Sequence, residues 1–187
     1  MIPPERFTTG RLIIRRAQPS DAGAMFERWA QDPDVTRYLS WTPHRRVEDT
    51  EAYLAFCTRQ WEARREFVWM LQAAESDTLI GSISARPGDH GINLGYLLTR
   101  DAWGGGLMTE AATAVTEWWL AQEGVFRVWA TCHPGNAASA RVLEKSGFQF
   151  EGRLRRWEEY PNAGAEPMDS LSFSRTVREP SAPDNRP

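Results

Sequence analysis

Asp101-Ala-Trp-Gly-Gly-Gly-Leu-Met-Thr-Glu110 is the stretch on which the reading of this chain turns. An apolar run, Ile92-Asn-Leu-Gly-Tyr-Leu-Leu-Thr99, precedes it and reads as a buried strand. A helical run, Leu107 to Gln122, follows it. A glycine turn between a strand and a helix start leaves several backbone N–H groups unpaired and pointing one way. The helix dipole adds partial positive charge at the same place. Together they make a seat for a phosphate or pyrophosphate. The dinucleotide fingerprint needs a third glycine three residues after the second, where this chain has Thr109. The P-loop needs Gly-Lys-Ser/Thr, and Gly106 is followed by Leu107. Short glycine clusters also punctuate chains with no ligand at all, so the decapeptide alone leaves a bare turn open.

A second unit follows. Phe126 to Thr131 is strand-like, His133-Pro-Gly135 is a turn, and Asn136 stands at a helix N-cap position. A short helix, Ala137 to Lys145, closes at Ser146-Gly147. Phe148-Gln-Phe150 returns as a strand continuing through Gly152 to Tyr160, and Met168 to Thr176 pairs with it. Upstream, Arg11 to Ala17 is a first strand, and a helix runs from Ser20 as N-cap to about Asp32. A helical turn spans Val35 to Leu39, and a longer helix spans Val47 to Arg65. Phe67 to Gln72 and Thr78 to Ser84 form a strand pair. Helices and strands are mixed around a central sheet, so the class is α+β, or mixed α/β. The expectation is one domain over residues 1–177 and a disordered, Pro-rich tail over 178–187.

Composition narrows the function. The net charge of −3 with no Lys/Arg block argues against a nucleic-acid partner. No apolar run approaches a membrane span, and the N-terminus lacks the apolar core of a signal peptide. The two cysteines, Cys57 and Cys132, read as buried thiols of a cytoplasmic protein. Among the nine tryptophans, Trp118 and Trp119 are adjacent on a helix and cannot share one face, so one is expected to cover a neighbouring loop or a partner subunit.

Trp103-Gly-x-Gly-x-x-Thr-Glu-Ala111, followed by His133-Pro-Gly-Asn-x-x-Ser-x-Arg-Val-Leu-Glu-Lys-x-Gly-Phe148, resembles the GNAT superfamily of acetyl-coenzyme A-dependent N-acetyltransferases. Thr9 to Arg16, Val35 to Trp41, Pro43-His44 and Glu48-Asp-Thr50 are similar to its Rim-type branch, which includes the ribosomal-protein N-terminal acetyltransferases. The resemblance implies a mostly antiparallel sheet of about seven strands, splayed between strands four and five, with helices on both faces. It implies acetyl-CoA as co-substrate and no metal. Leu97, Leu98 and Thr99 would meet the pantetheine arm through main chain. Gly104, Gly105, Gly106, Leu107, Met108 and Thr109 would face the pyrophosphate, and Asn136 would touch the pantetheine arm; Arg141 and Lys145, one turn apart on another helix face, are candidates for the outer phosphate, with a solvated face as the default reading. In the superfamily the pyrophosphate motif often begins with Gln or Arg three residues before its first glycine. Asp101 stands there, with Arg100 one place early, which puts the side-chain share of phosphate binding in question but not the backbone share.

Acetyl transfer from a thioester needs the amine to lose a proton, the carbonyl oxygen to be stabilised, and the leaving thiolate to be met by a proton. A backbone N–H near Leu97 or Leu98 can serve the second need, which such donors meet with about 3 kcal/mol. Ser139 is the candidate for the third, because Asn136, Ser139 and Leu143 share one helix face and Leu143 must face the sheet. Small-residue packing is the other reading of Ser139, and no Tyr sits in that helix. Glu158 and Glu159 are the candidate bases, by the resemblance; His44 is another, with an imidazole pKa near neutrality. Trp41, His44 and Trp69 would line the acceptor pocket by analogy. The expected reaction is direct transfer to a primary amine, either a protein N-terminus or a small amine, by a monomer or homodimer. A non-catalytic acyl-CoA-binding module and an interaction domain are the rival readings.

Overall fold

The computed structural model describes residues 1–177, so the tail expectation for 178–187 falls outside the described residues. In chain order the strands are β1 (Arg6–Thr8), β2 (Leu12–Arg16), β3 (Phe67–Ala73), β4 (Leu79–Gly88), β5 (Gly91–Leu98), β6 (Arg127–Cys132), β7 (Gln149–Glu158) and β8 (Met168–Thr176). The helices are α1 (Ala22–Met25), α2 (Pro33–Thr36), α3 (Val47–Glu62), α4 (Leu107–Leu120) and α5 (Ala137–Lys145). One sheet runs β1-β2-β3-β4-β5-β6-β8-β7 and is antiparallel except at β5–β6.

The eighth strand is β1. It has only three residues, too few to display alternation in sequence, and it pairs at the sheet edge with Ile13 to Arg15. The first helix also departs from expectation. Gln18, not Ser20, caps a 3₁₀ turn over Pro19–Asp21, and α1 passes into a π-type turn over Phe26–Ala30. Asp21 organises that start: buried, it accepts from the Gln18 N–H at 2.8 Å and from the Arg15 guanidinium at 2.7 and 3.0 Å.

β3 shows how the layers arise. Its alternation sends Phe67, Trp69 and Leu71 into one apolar cluster and Val68 and Met70 into another. The first cluster is roofed by α4 and α5 through Met108, Ala111, Val115, Trp119 and Leu143. The second is roofed by α1 and α3 through Met25, Trp29, Leu54 and Cys57, with Trp29 from the π turn. Helices therefore cover both faces, and each large side chain buried this way contributes roughly 1.5–3 kcal/mol. Trp119 is buried, whereas Trp118 sits edge-on to Phe7 of β1 at 6.2 Å. The cover expected of a loop or partner is thus supplied in part by the short edge strand. Both cysteines are buried free thiols.

The feature that creates a site is the junction of β5 and β6. β4 and β5 pair continuously from Gly81↔Leu98 to Gly88↔Gly91. β5 and β6 register only at Ile92↔Val128 and Asn93↔Trp129 and then diverge. Gly91 permits the close approach at the closed end, because a Cβ there would lie 2.3 Å from the Arg127 carbonyl oxygen. These are the fourth and fifth strands of the sequence reading, counted without β1.

Candidate active site

At the end of β5 the chain makes a 3₁₀ turn over Arg100–Ala102 and enters the glycine run. Gly104 and Gly106 have φ of 78° and 74°, a left-handed backbone that costs glycine nothing. Gly106 is the N-cap of the 14-residue α4 and offers no side-chain cap. The first N–H groups of α4 therefore remain available to an anion.

The loop is tied from behind. The Trp103 indole N–H donates to the Leu98 carbonyl at 2.9 Å. Arg11 donates to the Gly105 carbonyl at 2.8 Å and to Glu110 through Nε at 2.7 Å. Glu110 also accepts from the Thr9 hydroxyl at 2.6 Å and the Arg11 backbone N–H at 2.9 Å. Partial burial alone would raise the Glu110 pKa, but these bonds outweigh it and hold the carboxyl below its usual range. Arg28 pairs with Asp101 at 2.8 Å, and Arg100 pairs with Asp32 at 2.8 Å. The departure noted at Asp101 and Arg100 has a physical reason: both side chains brace the loop against the α1–α2 region.

A cavity of about 610 Å³ opens at this loop and runs between β5 and α5. Leu97, Leu98, Gly104, Gly106, Leu107, Met108, Thr109, Asn136, Ser139 and Arg141 line it. Two of the expected cofactor residues do not. The Gly105 carbonyl is turned to Arg11. Thr99 is buried, and both its N–H and its hydroxyl donate to the Ile80 carbonyl on β4, at 2.9 and 3.3 Å. Strand alternation then turns the Leu97 peptide groups toward β4 as well, and those of Leu98 and Tyr96 toward the open edge. The Leu98 carbonyl already serves Trp103, so its N–H is the group left for a ligand. Asn136 caps α5, accepting from the Ser139 N–H at 3.1 Å. Arg141 is exposed at the rim.

Ser139 does look into the cavity, and there it meets a residue that sequence reasoning missed. The Tyr96 hydroxyl lies 2.9 Å from Ser139 Oγ and 3.2 Å from the Ser139 carbonyl. The β4–β5 register is unbroken at Gly95, which leaves room for Ser84, whose Oγ would sit 3.2 Å from a Cβ there. The signal was the alternation itself: Tyr96 shares a strand face with Leu94 and Leu98, the face that α4 and α5 cover.

Beyond the splay, β7 carries an irregularity between Leu154 and Glu158, with Arg156 at φ 48°. Asp169 of β8 pins it, accepting from the Arg156 N–H at 2.9 Å and from Arg153 Nε at 2.6 Å. Bulges of this kind re-aim side chains. Glu158 emerges half-buried, its Oε2 accepting from Thr131 at 3.1 Å and from Tyr160 at 3.2 Å. Tyr160 is buried and also shares a hydrogen bond with Ser170 at 2.8 Å. Glu159 is exposed. His133 stacks on Tyr38 at 4.7 Å, stands edge-on to Tyr160 at 5.0 Å, and accepts the Gly135 N–H on Nδ1 at 2.9 Å. Burial, then the nearby Arg37 charge, lower its pKa.

The expected acceptor residues divide. Trp41 and His44 are neighbours, with ring centroids 5.1 Å apart; His44 Nδ1 lies 2.7 Å from the Thr50 hydroxyl, and burial lowers its pKa. Asn162, from the β7–β8 loop, donates to the Thr36 and Trp41 carbonyls, each at 2.8 Å, and ties that loop to the α2–α3 segment. Trp69 is elsewhere. It is fully buried among Phe7, Trp61 and Phe67, and its indole N–H donates to the Pro4 carbonyl at 3.0 Å, so it lines no pocket.

Fold, uncapped helix and splay define an acetyltransferase class of site, and the comparisons agree. Residues 11–149 match the family described as acetyltransferase (GNAT) domain, and the chain belongs to that family. It is 28% identical over 173 residues to the uncharacterized N-acetyltransferase YoaA of Bacillus subtilis (strain 168), covering 89% of this chain and 93% of that one. It is 27% identical over 166 residues to the [ribosomal protein uS5]-alanine N-acetyltransferase of Escherichia coli (strain K12), covering 81% of each. Among solved structures, RimL, a ribosomal L7/L12 alpha-N-protein acetyltransferase in complex with coenzyme A, superposes with a TM-score of 0.81 at 18% identity, covering 92% of this chain and 98% of that one. The chain is thus a GNAT N-acetyltransferase with Rim-type relatives. Among the described residues no cluster of metal-ligating side chains occurs, and no helix is long and apolar enough to cross a membrane.

Proposed function

We propose that this chain transfers acetyl from acetyl-CoA directly to a primary amine, with a protein N-terminal α-amine or a small amine as acceptor. The observation that carries the reading is that the uncapped start of α4 and the Ser139 hydroxyl open into one cavity beside the β5–β6 splay. The residues present fit the donor: positive-φ glycines allow close backbone approach, α4 supplies N–H groups for a diphosphate, and the Leu98 N–H faces the open strand edge. Acetyl-CoA supplies an activated acyl carbon and a thiolate leaving group.

The chain's own part is positioning and proton handling. The Leu98 N–H is the candidate donor to the carbonyl oxygen on which charge builds. Ser139 is placed to hydrogen-bond the departing sulfur. Glu158 is favoured over Glu159 as the base, because Thr131 and Tyr160 fix it through Oε2 and leave Oε1 for a proton. An α-amine with pKa about 8 asks less of such a base than a lysine at about 10.4. Both cysteines are buried, and burial pushes each thiol up to about 11, so neither favours an acetyl-enzyme route. A thiol-release assay with acetyl-CoA against N-terminal peptides, free amino acids and aminoglycosides tests the proposal. Turnover on at least one acceptor is expected; binding without turnover on every acceptor would favour a non-catalytic acyl-CoA module.

A further inference from the structure

We propose that Tyr96 is a positioning residue that turns the Ser139 proton toward the thiol end of the ligand. This rests on the acetyl-transfer reading above. Ser139 stands in the first turn of α5, where the residue four back, Gly135, precedes the N-cap Asn136 and offers no carbonyl of the helix. Its hydroxyl has the Tyr96 hydroxyl as partner at 2.9 Å.

The phenol reaches across from β5 to α5, and both residues line the cavity. Burial pushes the Tyr96 pKa well above its ordinary value, and the Ser139 contact only partly offsets this. Burial thus favours the neutral phenol, which can donate. Two arrangements satisfy the distances. In one, the phenol donates to the Ser139 carbonyl and Ser139 donates back to the phenol oxygen, which hides the serine proton. In the other, the phenol donates to Ser139 Oγ, which frees and polarises the serine O–H. A negative sulfur in the cavity selects the second. When the C–S bond breaks, its electron pair goes to sulfur and the Ser139 O–H hydrogen-bonds it. Net, the amine gives up one proton and the thiol leaves with one.

Two readouts test this in the full chain with Tyr96→Phe, Ser139→Ala and the double variant. The first is the ionisation of bound CoA thiol, followed by thiolate ultraviolet absorbance against pH, which needs no acceptor. The ionisation constant is expected to fall roughly 3–10-fold in Tyr96→Phe, from loss of one hydrogen bond. The double variant should match Ser139→Ala alone. The second is turnover, where kcat falls by a similar factor and KM for acetyl-CoA holds. Bound thiol that ionises identically in all four proteins overturns the proposal, as does a double variant whose losses multiply. CoA that fails to bind the wild-type chain overturns the acetyl-transfer reading and this proposal with it.

Discussion

Gly105 and Gly106 are neighbours in one loop, yet their backbones ask for different things. Gly106 has φ 74° and ψ 8°, and a Cβ there would meet only Arg11 Nη2 at 3.7 Å, an ordinary contact. Gly105 is outside the positive-φ set, and its Cβ would meet Leu107 Cγ at 3.9 Å. Alanine is thus sterically admissible at both, and only Gly106→Ala is strained. The left-handed backbone costs a non-glycine residue about 1–2 kcal/mol. That free energy has two places to fall. If the loop keeps its shape, folding stability drops, and Tm falls by about 2–8 °C at about 2–4 °C per kcal/mol. If the loop relaxes, the α4 N–H groups turn away, and acetyl-CoA binding weakens about 5–30-fold. Calorimetric titration with acetyl-CoA and thermal unfolding, run together, should recover the 1–2 kcal/mol in their sum for Gly106→Ala and almost none for Gly105→Ala. Equal effects at the two positions, or none at Gly106, would refute the argument that backbone conformation makes this seat.

Three further outcomes are expected. Glu158→Gln should lower kcat by about 100-fold or more, whereas Glu159→Gln should leave it unchanged. Asn136→Ala should cost about 1 kcal/mol of stability through loss of the α5 cap, read as a lower Tm. Glu151 is held at about 2 by the hydrogen bond from Arg127 above all; burial opposes this, and the bond from Ser174 and the Arg127 charge add to the lowering. Its folded pKa lies below the unfolded value of about 4.3, so its stabilising share is complete above that pH and is lost as pH falls toward about 2. Glu151→Gln should therefore lower Tm at neutral pH and converge with the wild type in strong acid, by a modest and salt-sensitive amount because both partners are partly exposed.

What could be read from sequence was whatever local spacing encodes. The glycine run, the Asn136 cap and the Gly147 stop each state a backbone need at one place, and α4, α5 and the strands around them lie where those signals put them. β1 escaped because three residues carry no period. Thr99 and Gly105 were assigned by adjacency to a motif, but strand pairing turns the Thr99 peptide toward β4, away from the splay, and the Gly105 carbonyl is turned to Arg11. Tyr96 and Tyr160 escaped for the opposite reason: their roles are set by contacts over 43 and 10 residues of sequence separation, and nothing next to them announces either contact. Trp69 was placed in a pocket by analogy, whereas the large apolar surface of an indole on a central strand is better satisfied in the core.

The charges around the glycine loop carry one more consequence. Arg11, Arg28 and Arg100 all approach the loop, but each is matched by a carboxylate, Glu110, Asp101 and Asp32 in turn. Their sum at the phosphate seat is close to zero, and their work is to hold the loop. Arg141 and Lys145, one turn apart on α5, line the same cavity without an ion-pair partner among the described residues. If a polyanionic ligand is drawn in by side-chain charge, these two supply it, and the α4 dipole supplies the rest. Association of acetyl-CoA, measured by stopped-flow across ionic strength, should slow and lose much of its salt dependence in Arg141→Ala/Lys145→Ala. Arg11→Ala/Glu110→Ala, which removes both members of the pair, should instead leave the salt slope unchanged and speed dissociation, since it loosens the loop without changing net charge. Swapped behaviour, with the salt slope following Arg11, would mean that the Arg11–Glu110 pair opens to meet the ligand and that the loop is held by something else.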